Sequence, residues 1–365
     1  MKIITYKKSG VDYQKLDQIK KTAQSSAKKT SVNFKNGFSE IADSRGESAF
    51  VWKQGNYYMA SVVEGLGTKS LVADAVYKAS GKSYYQNIAQ DCVATIINDL
   101  VSVGAIPLVL NAYWADSGDG FLQDGKRMRD FIRGWEKACN FAGVVWGGGE
   151  TPTLKGVIEA DSSDLGGSAV GIIKKKKHLV TDKKLKSGDR IILIKSNGIN
   201  ANGISLARKV AEKLPKGYST KLPNRKLYGE SLLTKSNIYA KLVSDLQKNN
   251  IDIHYISNIT GHGLRKIMRA RPDFTYILEK IFKPQPVFDF IKEKANLSDH
   301  EMYQTYNMGQ DFAIFVPEKE SLKTIKIIKK NGFRAIDAGF LEKGKKQLVI
   351  KPINLVFSGE TLDLR

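Results

Sequence analysis

Three times along this chain a short apolar run ends in glycines set beside a charged or amide side chain. Residues 57–63 run into Glu64-Gly65-Leu66-Gly67-Thr68-Lys69, residues 144–146 into Gly147-Gly148-Gly149-Glu150-Thr151, and residues 190–195 into Ser196-Asn197-Gly198-Ile199-Asn200-Ala201-Asn202-Gly203. Apolar runs bounded by turn residues read as strands, and helical patterns follow the first and third at residues 71–78 and 204–214, so strands and helices must alternate in an α/β fold. Each turn also delivers ligand-binding chemistry to a strand end. Glycines let backbone N–H groups approach a phosphate closely, lysine supplies a point charge, and carboxylates hold Mg²⁺, an ion that bridges to substrate phosphates. The spacing matches neither GxxxxGK[ST] nor a GxGxxG in a βαβ setting, so no standard nucleotide fingerprint is present. The third turn opens a helix, where unpaired N–H groups and the helix dipole favour an anion.

The strongest helical pattern, residues 87–103, sharpens this reading. At 100° per residue Asp91, Thr95, Asn98 and Asp99 share one narrow arc, while Cys92, Val93, Ile96, Ile97, Leu100 and Val101 cover the remainder. A helix apolar over most of its circumference is buried on most sides, and buried acids are rare unless paired or metal-bound. The stripe and the preceding glycine turn are therefore read together as one functional region. An exposed helix face with ordinary surface carboxylates is the competing explanation.

At 365 residues the chain suits two domains. The polar stretch 174–189, which contains Lys174-Lys175-Lys176-Lys177 and Ser187-Gly188-Asp189, is read as the boundary, giving domains 1–175 and 176–365. The first holds a polar helix or arm over 11–30, a turn at Asn36-Gly37-Phe38, a hairpin of 50–52 and 58–63 around Gln54-Gly55-Asn56, a strand over 108–113, an amphipathic helix over 124–143 and a strand over 170–173. The second carries Asn258-Ile259-Thr260-Gly261-His262-Gly263 leading into a helix over 264–269, a strand over 311–316, a basic helix over 321–331 and two strands within 335–349.

Net charge is 58 − 37 = +21, which raises nucleic-acid binding. The lysines are scattered, and no aromatic residues interleave the one lysine block as a base-stacking surface requires, so a solvated lysine-rich surface is expected instead and no specific nucleic-acid partner. Apolar runs fall short of a membrane span and the N-terminus has no secretory core, which predicts a cytoplasmic protein without membrane contact. Cys92 and Cys139 lie in apolar helical segments and are expected as reduced core residues. His178, His254, His262 and His300 show no zinc-ligand spacing.

Read in order, Tyr6-Lys7-Lys8-Ser9-Gly10-Val11-Asp12, Gly65-Leu66-Gly67-Thr68-Lys69, Asn98-Asp99-Leu100 before Gly104-Ala105-Ile106-Pro107, Gly148-Gly149-Glu150-Thr151, Asn202-Gly203-Ile204-Ser205-Leu206, Ile259-Thr260-Gly261 and Thr305-Tyr306-Asn307-Met308-Gly309 resemble the phosphoribosylformylglycinamidine cyclo-ligase (aminoimidazole ribonucleotide synthetase) family of purine biosynthesis. The resemblance is collinear from about residue 6 to residue 341. Its wider superfamily includes selenophosphate synthetase, thiamine-monophosphate kinase, a hydrogenase maturation protein and the later half of formylglycinamidine ribonucleotide amidotransferase.

The resemblance implies an N-terminal ATP-binding domain whose mixed sheet pairs into a barrel in a homodimer, and a C-terminal α/β sandwich. It implies ATP and Mg²⁺ as cofactors and formylglycinamidine ribonucleotide as substrate, with phosphoryl transfer to the formyl oxygen followed by ring closure. Such transfer is mostly positioning and charge neutralisation and needs no covalent nucleophile. Carried onto this chain, Glu64, Asp91 and Asp99 are expected to hold Mg²⁺; Gly65, Gly67, Thr68, Lys69, Asp91, Asn98, Gly149 and Glu150 to bind ATP; Asn202, Gly203, Ser205, Thr260 and Gly261 to bind substrate; and Lys69, Asp99 and Asn200 to serve the chemistry. Removal of Lys69 or Asp99 is expected to abolish turnover with the fold intact. Three departures from the family stand out: Glu64 stands for the usual aspartate, Asn200 stands for a histidine, exchanging a potential acid–base for an amide, and the family's GlyGlyPheGly loop and LeuAspTyr segment are eroded to Asn36-Gly37-Phe38-Ser39 and Asn111-Ala112-Tyr113. Such departures suit, as alternatives, a superfamily member that activates another amide or phosphate acceptor, or a nucleotide binder that has lost catalysis.

Overall fold

The computed structural model describes residues 9, 10 and 12–362, so most of the Tyr6 to Asp12 opening lies outside the described residues. The fold is a mixed α/β arrangement of two sheets, each carrying its own helices. The first sheet has strand order β1-β2-β3-β6-β4-β5, with β1 Phe38–Glu40, β2 Phe50–Gln54, β3 Tyr57–Gly65, β4 Ile106–Asp116, β5 Val145–Glu150 and β6 Ser163–Ile173. The hairpin expected at Gln54-Gly55-Asn56 is present: Gln54 pairs with Tyr57, and Gly55 takes the positive φ of 57° that the tight turn needs.

Helices α1 Tyr13–Lys29, α2 Lys69–Ser80, α3 Tyr85–Ser102 and α4 Gly125–Ala142 belong to this half. The ends of α4 follow from its sequence. Asp124 accepts hydrogen bonds from the Lys126 and Arg127 amides at the N-cap, and Gly143 closes the helix in the left-handed region. Helix α3 is almost wholly buried, and Cys92 and Cys139 are free thiols within the core.

Two strands differ from expectation. The apolar run 170–173 extends back to Ser163, and the glycines after Trp146 belong to β5 rather than to a turn. Both are legible only in three dimensions. A Cβ on Gly167 would lie 2.4 Å from the Asn111 carbonyl oxygen, and one on Gly149 2.4 Å from that of Ala112, so glycine is required by the close approach of β4.

The second sheet has order β13-β12-β9-β11-β7-β10-β8, built from β7 Arg190–Lys195, β8 Tyr255–Asn258, β9 Phe274–Leu278, β10 Gln310–Val316, β11 Ala335–Lys343, β12 Gln347–Ile350 and β13 Leu355–Ser358. Its central strands β7 and β10 are nearly continuous runs of buried apolar residues, as expected for a sheet covered on both faces. Helices α5 Ile204–Glu212, α6 Tyr228–Leu232, α7 Ala240–Lys248, α8 Pro286–Ala295, α9 Asp299–Thr305 and α10 Ser321–Lys330 accompany it. The expected helix over 264–269 is a 3₁₀ turn, Gly263–Met268. The change from one sheet to the other falls between Ile173 and Arg190.

Candidate active site

The polar stripe of α3 is buried, and its partners lie in the second half of the chain. Residues 234–239 between α6 and α7 have no regular structure, and a buried backbone without regular structure needs hydrogen-bond partners from elsewhere. Side chains of α2 and α3 supply them. Lys69 Nζ donates to the Thr234 carbonyl at 3.0 Å, Asn87 to that of Leu233 at 2.9 Å and Gln90 to that of Ser236 at 2.7 Å. Asp91 Oδ1 accepts from both the Ser236 amide and hydroxyl at 2.7 Å. Asn98 donates to the Asn237 carbonyl and accepts from the Tyr239 amide, both at 2.9 Å. Residues 234–239 thus form a strap whose backbone is completed by the other domain.

Lys69 and Asp91 are also ion-paired at 2.6 Å with neither side chain exposed to solvent. Their charges are satisfied by each other, by Thr234 and by Ser236. In this arrangement neither faces an open cavity, so the expected phosphate contact of Lys69 and metal contact of Asp91 are not what the geometry displays.

Glu64 and Asp99 are arranged differently. The two carboxyl groups are close enough to interact, and Glu64 has its pKa raised to about 8, by burial first and then by the Asp99 charge. Asp99 Oδ1 also accepts from Asn258 Nδ2 at 2.7 Å. Lys266, from the Gly263–Met268 turn, is buried beside them; burial lowers its pKa, while Asp99 and Glu64 oppose that shift. Its ammonium donates to Thr260 Oγ1. Two close carboxylates with one buried cation nearby suit a hard divalent ion that draws its remaining ligands from water and phosphate oxygens.

The glycine loop beside them opens α2. Gly67 adopts a φ of 71° with open space where a side chain would stand, and Thr68 is the N-cap residue. Thr68 Oγ1 lies 3.4 Å from Ser205 Oγ in the first turn of α5, whose N-cap is Gly203. Two helix N-termini, one from each half of the molecule, therefore converge at one point, a favourable setting for anionic oxygens. Gly203 has a further constraint: a Cβ would lie 2.1 Å from the Tyr306 ring, whose hydroxyl donates to the Gly203 carbonyl at 3.0 Å.

A narrow cleft with about 20 Å³ of free volume opens between α3, the Asn200 turn and the end of β8. Asn98, Asn200, Asn202 and Thr260 line it, as do Asn258 and Asn307, which sequence reasoning quoted within motifs without assigning to the site. Gly261 follows Thr260 in the same loop. Gly149 and Glu150 stand apart. Gly65, Gly166, Tyr113 and Glu150 form one row across β3, β6, β4 and β5, which at strand spacing puts Glu150 about 14 Å from Gly65, outside the cleft. Lys266, Ser236, Asn237 and Tyr239 carried no motif signal.

Comparison with known proteins agrees with the two-part fold. The N-terminal domain family of AIR synthase related proteins matches residues 46–173, and the corresponding C-terminal domain family matches residues 186–351. A phosphoribosylformylglycinamidine cyclo-ligase from Methanocaldococcus jannaschii is 32% identical over 330 residues, covering 90% of this chain and 89% of its own. Among solved structures, a HypE–HypF complex aligns with a TM-score of 0.61 at 17% identity, over 86% of this chain and 92% of the matched one. AaThiL complexed with AMPPCP and TMP aligns at 0.57 and 13% identity, over 84% of this chain and 87% of its own. At these identities the solved structures speak for the fold.

Proposed function

The chain belongs to the phosphoribosylformylglycinamidine cyclo-ligase (AIR synthase) family, and we propose on that premise that it closes the imidazole ring of aminoimidazole ribonucleotide at the expense of ATP. The formyl oxygen of formylglycinamidine ribonucleotide takes the γ-phosphoryl group of ATP. The amidine-side nitrogen then bonds to the formyl carbon, the carbon–oxygen bond to phosphate breaks, and ADP, phosphate and the imidazole product leave. Nucleotide binding is supported by AaThiL, a fold neighbour complexed with AMPPCP.

The convergence of Thr68 and Ser205 carries this reading. Backbone amides at the starts of α2 and α5, with the two hydroxyls, hold phosphate oxygens, and Gly65 and Gly67 let the nucleotide approach the backbone. Glu64 and Asp99 would hold Mg²⁺, which would supply charge neutralisation for the phosphoryl group. Lys69 and Asp91 serve as a clasp that sets the strap and the start of α2, rather than as direct phosphate and metal contacts. Asn200, Asn202, Asn258, Asn307 and Thr260 face the substrate across the cleft.

We assign the homodimer to the outer face of the first sheet. Val63, Val109, Tyr113 and Val145 share that face and are exposed. Domain limits of 1–175 and 176–365 and a cytoplasmic location complete the proposal. No helix among the described residues is long and apolar enough to cross a membrane.

The test is product formation: purified protein with ATP, Mg²⁺ and formylglycinamidine ribonucleotide should release ADP only when the ribonucleotide is present. ATP binding without ribonucleotide-dependent turnover would favour a binding protein that has lost catalysis.

A further inference from the structure

Asn200 occupies the left-handed backbone region with φ of 59°, and its side-chain amide points Nδ2 at Asp311 Oδ1. Asp311 is 3% exposed at the start of β10, and its second oxygen accepts from Tyr239 OH at 2.6 Å and Asn237 Nδ2 at 3.0 Å. A carboxylate can accept but not donate, so it fixes which end of the Asn200 amide it meets. The NH₂ must face Asp311. The carbonyl oxygen must then face away, and Asn200 Oδ1 is buried with no hydrogen-bond partner, in a residue that lines the interdomain cleft. Asn202 Oδ1, lining the same cleft, is likewise buried and unpartnered.

A buried acceptor left unpaired costs on the order of 1–3 kcal/mol, and two of them in one cleft amount to a demand for donors. A phosphate brings only acceptors, and the nearby Asp311 carboxylate would repel it. Resting on the function proposed above, we infer that the Asn200 and Asn202 carbonyl oxygens accept N–H groups of the substrate's amidine, and that Asp311 is the positioning residue that locks Asn200 in the accepting orientation. The subsite thereby distinguishes an amidine from the corresponding amide, which presents a carbonyl oxygen where the amidine presents N–H. Asp311 also ties this choice to the strap, because Asn237 and Tyr239 bond both to it and to Asn98.

The experiment measures dissociation constants of formylglycinamidine ribonucleotide and of its amide counterpart by calorimetry, in the presence of AMPPCP and Mg²⁺. A site built to accept substrate N–H groups should favour the amidine by roughly 100-fold or more. In Asp311→Asn the neighbour can donate as well as accept, so the Asn200 amide is free to turn over, and the preference should fall about tenfold while AMPPCP affinity is unchanged. Asn200→Gly, which keeps the left-handed backbone and deletes the amide, should lower the preference to a similar degree, and it tests the subsite independently should Asp311→Asn fail to fold. An amidine preference that stays the same in a folded variant would overturn the inference while leaving the proposed reaction standing. Binding of neither ribonucleotide by the unmodified protein would overturn the proposed reaction and this assignment with it.

Discussion

Lys69 and Asp91 form an ion pair of 2.6 Å in which neither side chain touches solvent, and both also bond to the strap at residues 234–239. Removing one member of such a pair leaves the other charge buried alone, a cost of about 3–5 kcal/mol. Lys69→Met and Asp91→Leu should each lower the unfolding free energy by that amount, with a correspondingly lower urea midpoint, and the double variant should recover much of the loss because no lone charge remains. This replaces the sequence-based expectation that Lys69 can be removed with the fold intact. Denaturant titration of the three variants against the unmodified protein checks it.

Asn98 is a further fastening of the strap, and its two bonds satisfy the Asn237 carbonyl and the Tyr239 amide. Asn98→Ala should cost about 1–3 kcal/mol. Amide hydrogen exchange should quicken within residues 234–239 before it does in β7 or β10, since the strap would open locally while the sheet stays closed.

The raised pKa of Glu64 gives stability a defined pH dependence. Glu64 binds its proton more tightly in the folded protein, with a pKa of about 8 against an ordinary 4.5. Without divalent ions, stability should therefore be fully present at low pH within this group's range and decline as pH rises from about 4.5 to about 8. Glu64→Gln should flatten that decline in thermal melts, and Mg²⁺ should raise the melting temperature of the unmodified protein most at the alkaline end, where the carboxylate is already ionised. Identical pH slopes for the two proteins would refute the assignment of Glu64.

The outer sheet face offers a simple test of assembly. Val63 and Val145 are 77% and 64% exposed on the face that also carries Val109 and Tyr113. Val63→Glu with Val145→Glu should shift the protein from dimer to monomer in sedimentation velocity with little change in melting temperature, because neither side chain contributes to the core.

Much of this architecture is visible in the chain before it folds. The alternation of strands and helices, the Gln54-Gly55-Asn56 hairpin and the polar arc of α3 all follow from local pattern. The purpose of that arc does not, since Asp91 meets Ser236 and Asp99 meets Asn258 only after folding brings together segments 145 and 159 residues apart. Lys69 illustrates the same limit: beside glycines it reads as a phosphate contact, and its bonds to the distant Thr234 carbonyl and to Asp91 appear only in the fold. Lys266 sits in a short basic stretch indistinguishable from surface, and Asp311 begins an apolar strand where nothing nearby hints at Asn200.

The most direct test of the central claim is the stoichiometry of ring closure: ADP and aminoimidazole ribonucleotide measured together as formylglycinamidine ribonucleotide is consumed with ATP and Mg²⁺. One ADP per imidazole formed, with turnover lost in Asp99→Asn, is the predicted result. ADP release that is indifferent to the ribonucleotide, or consumption of the ribonucleotide without an imidazole product, would contradict it.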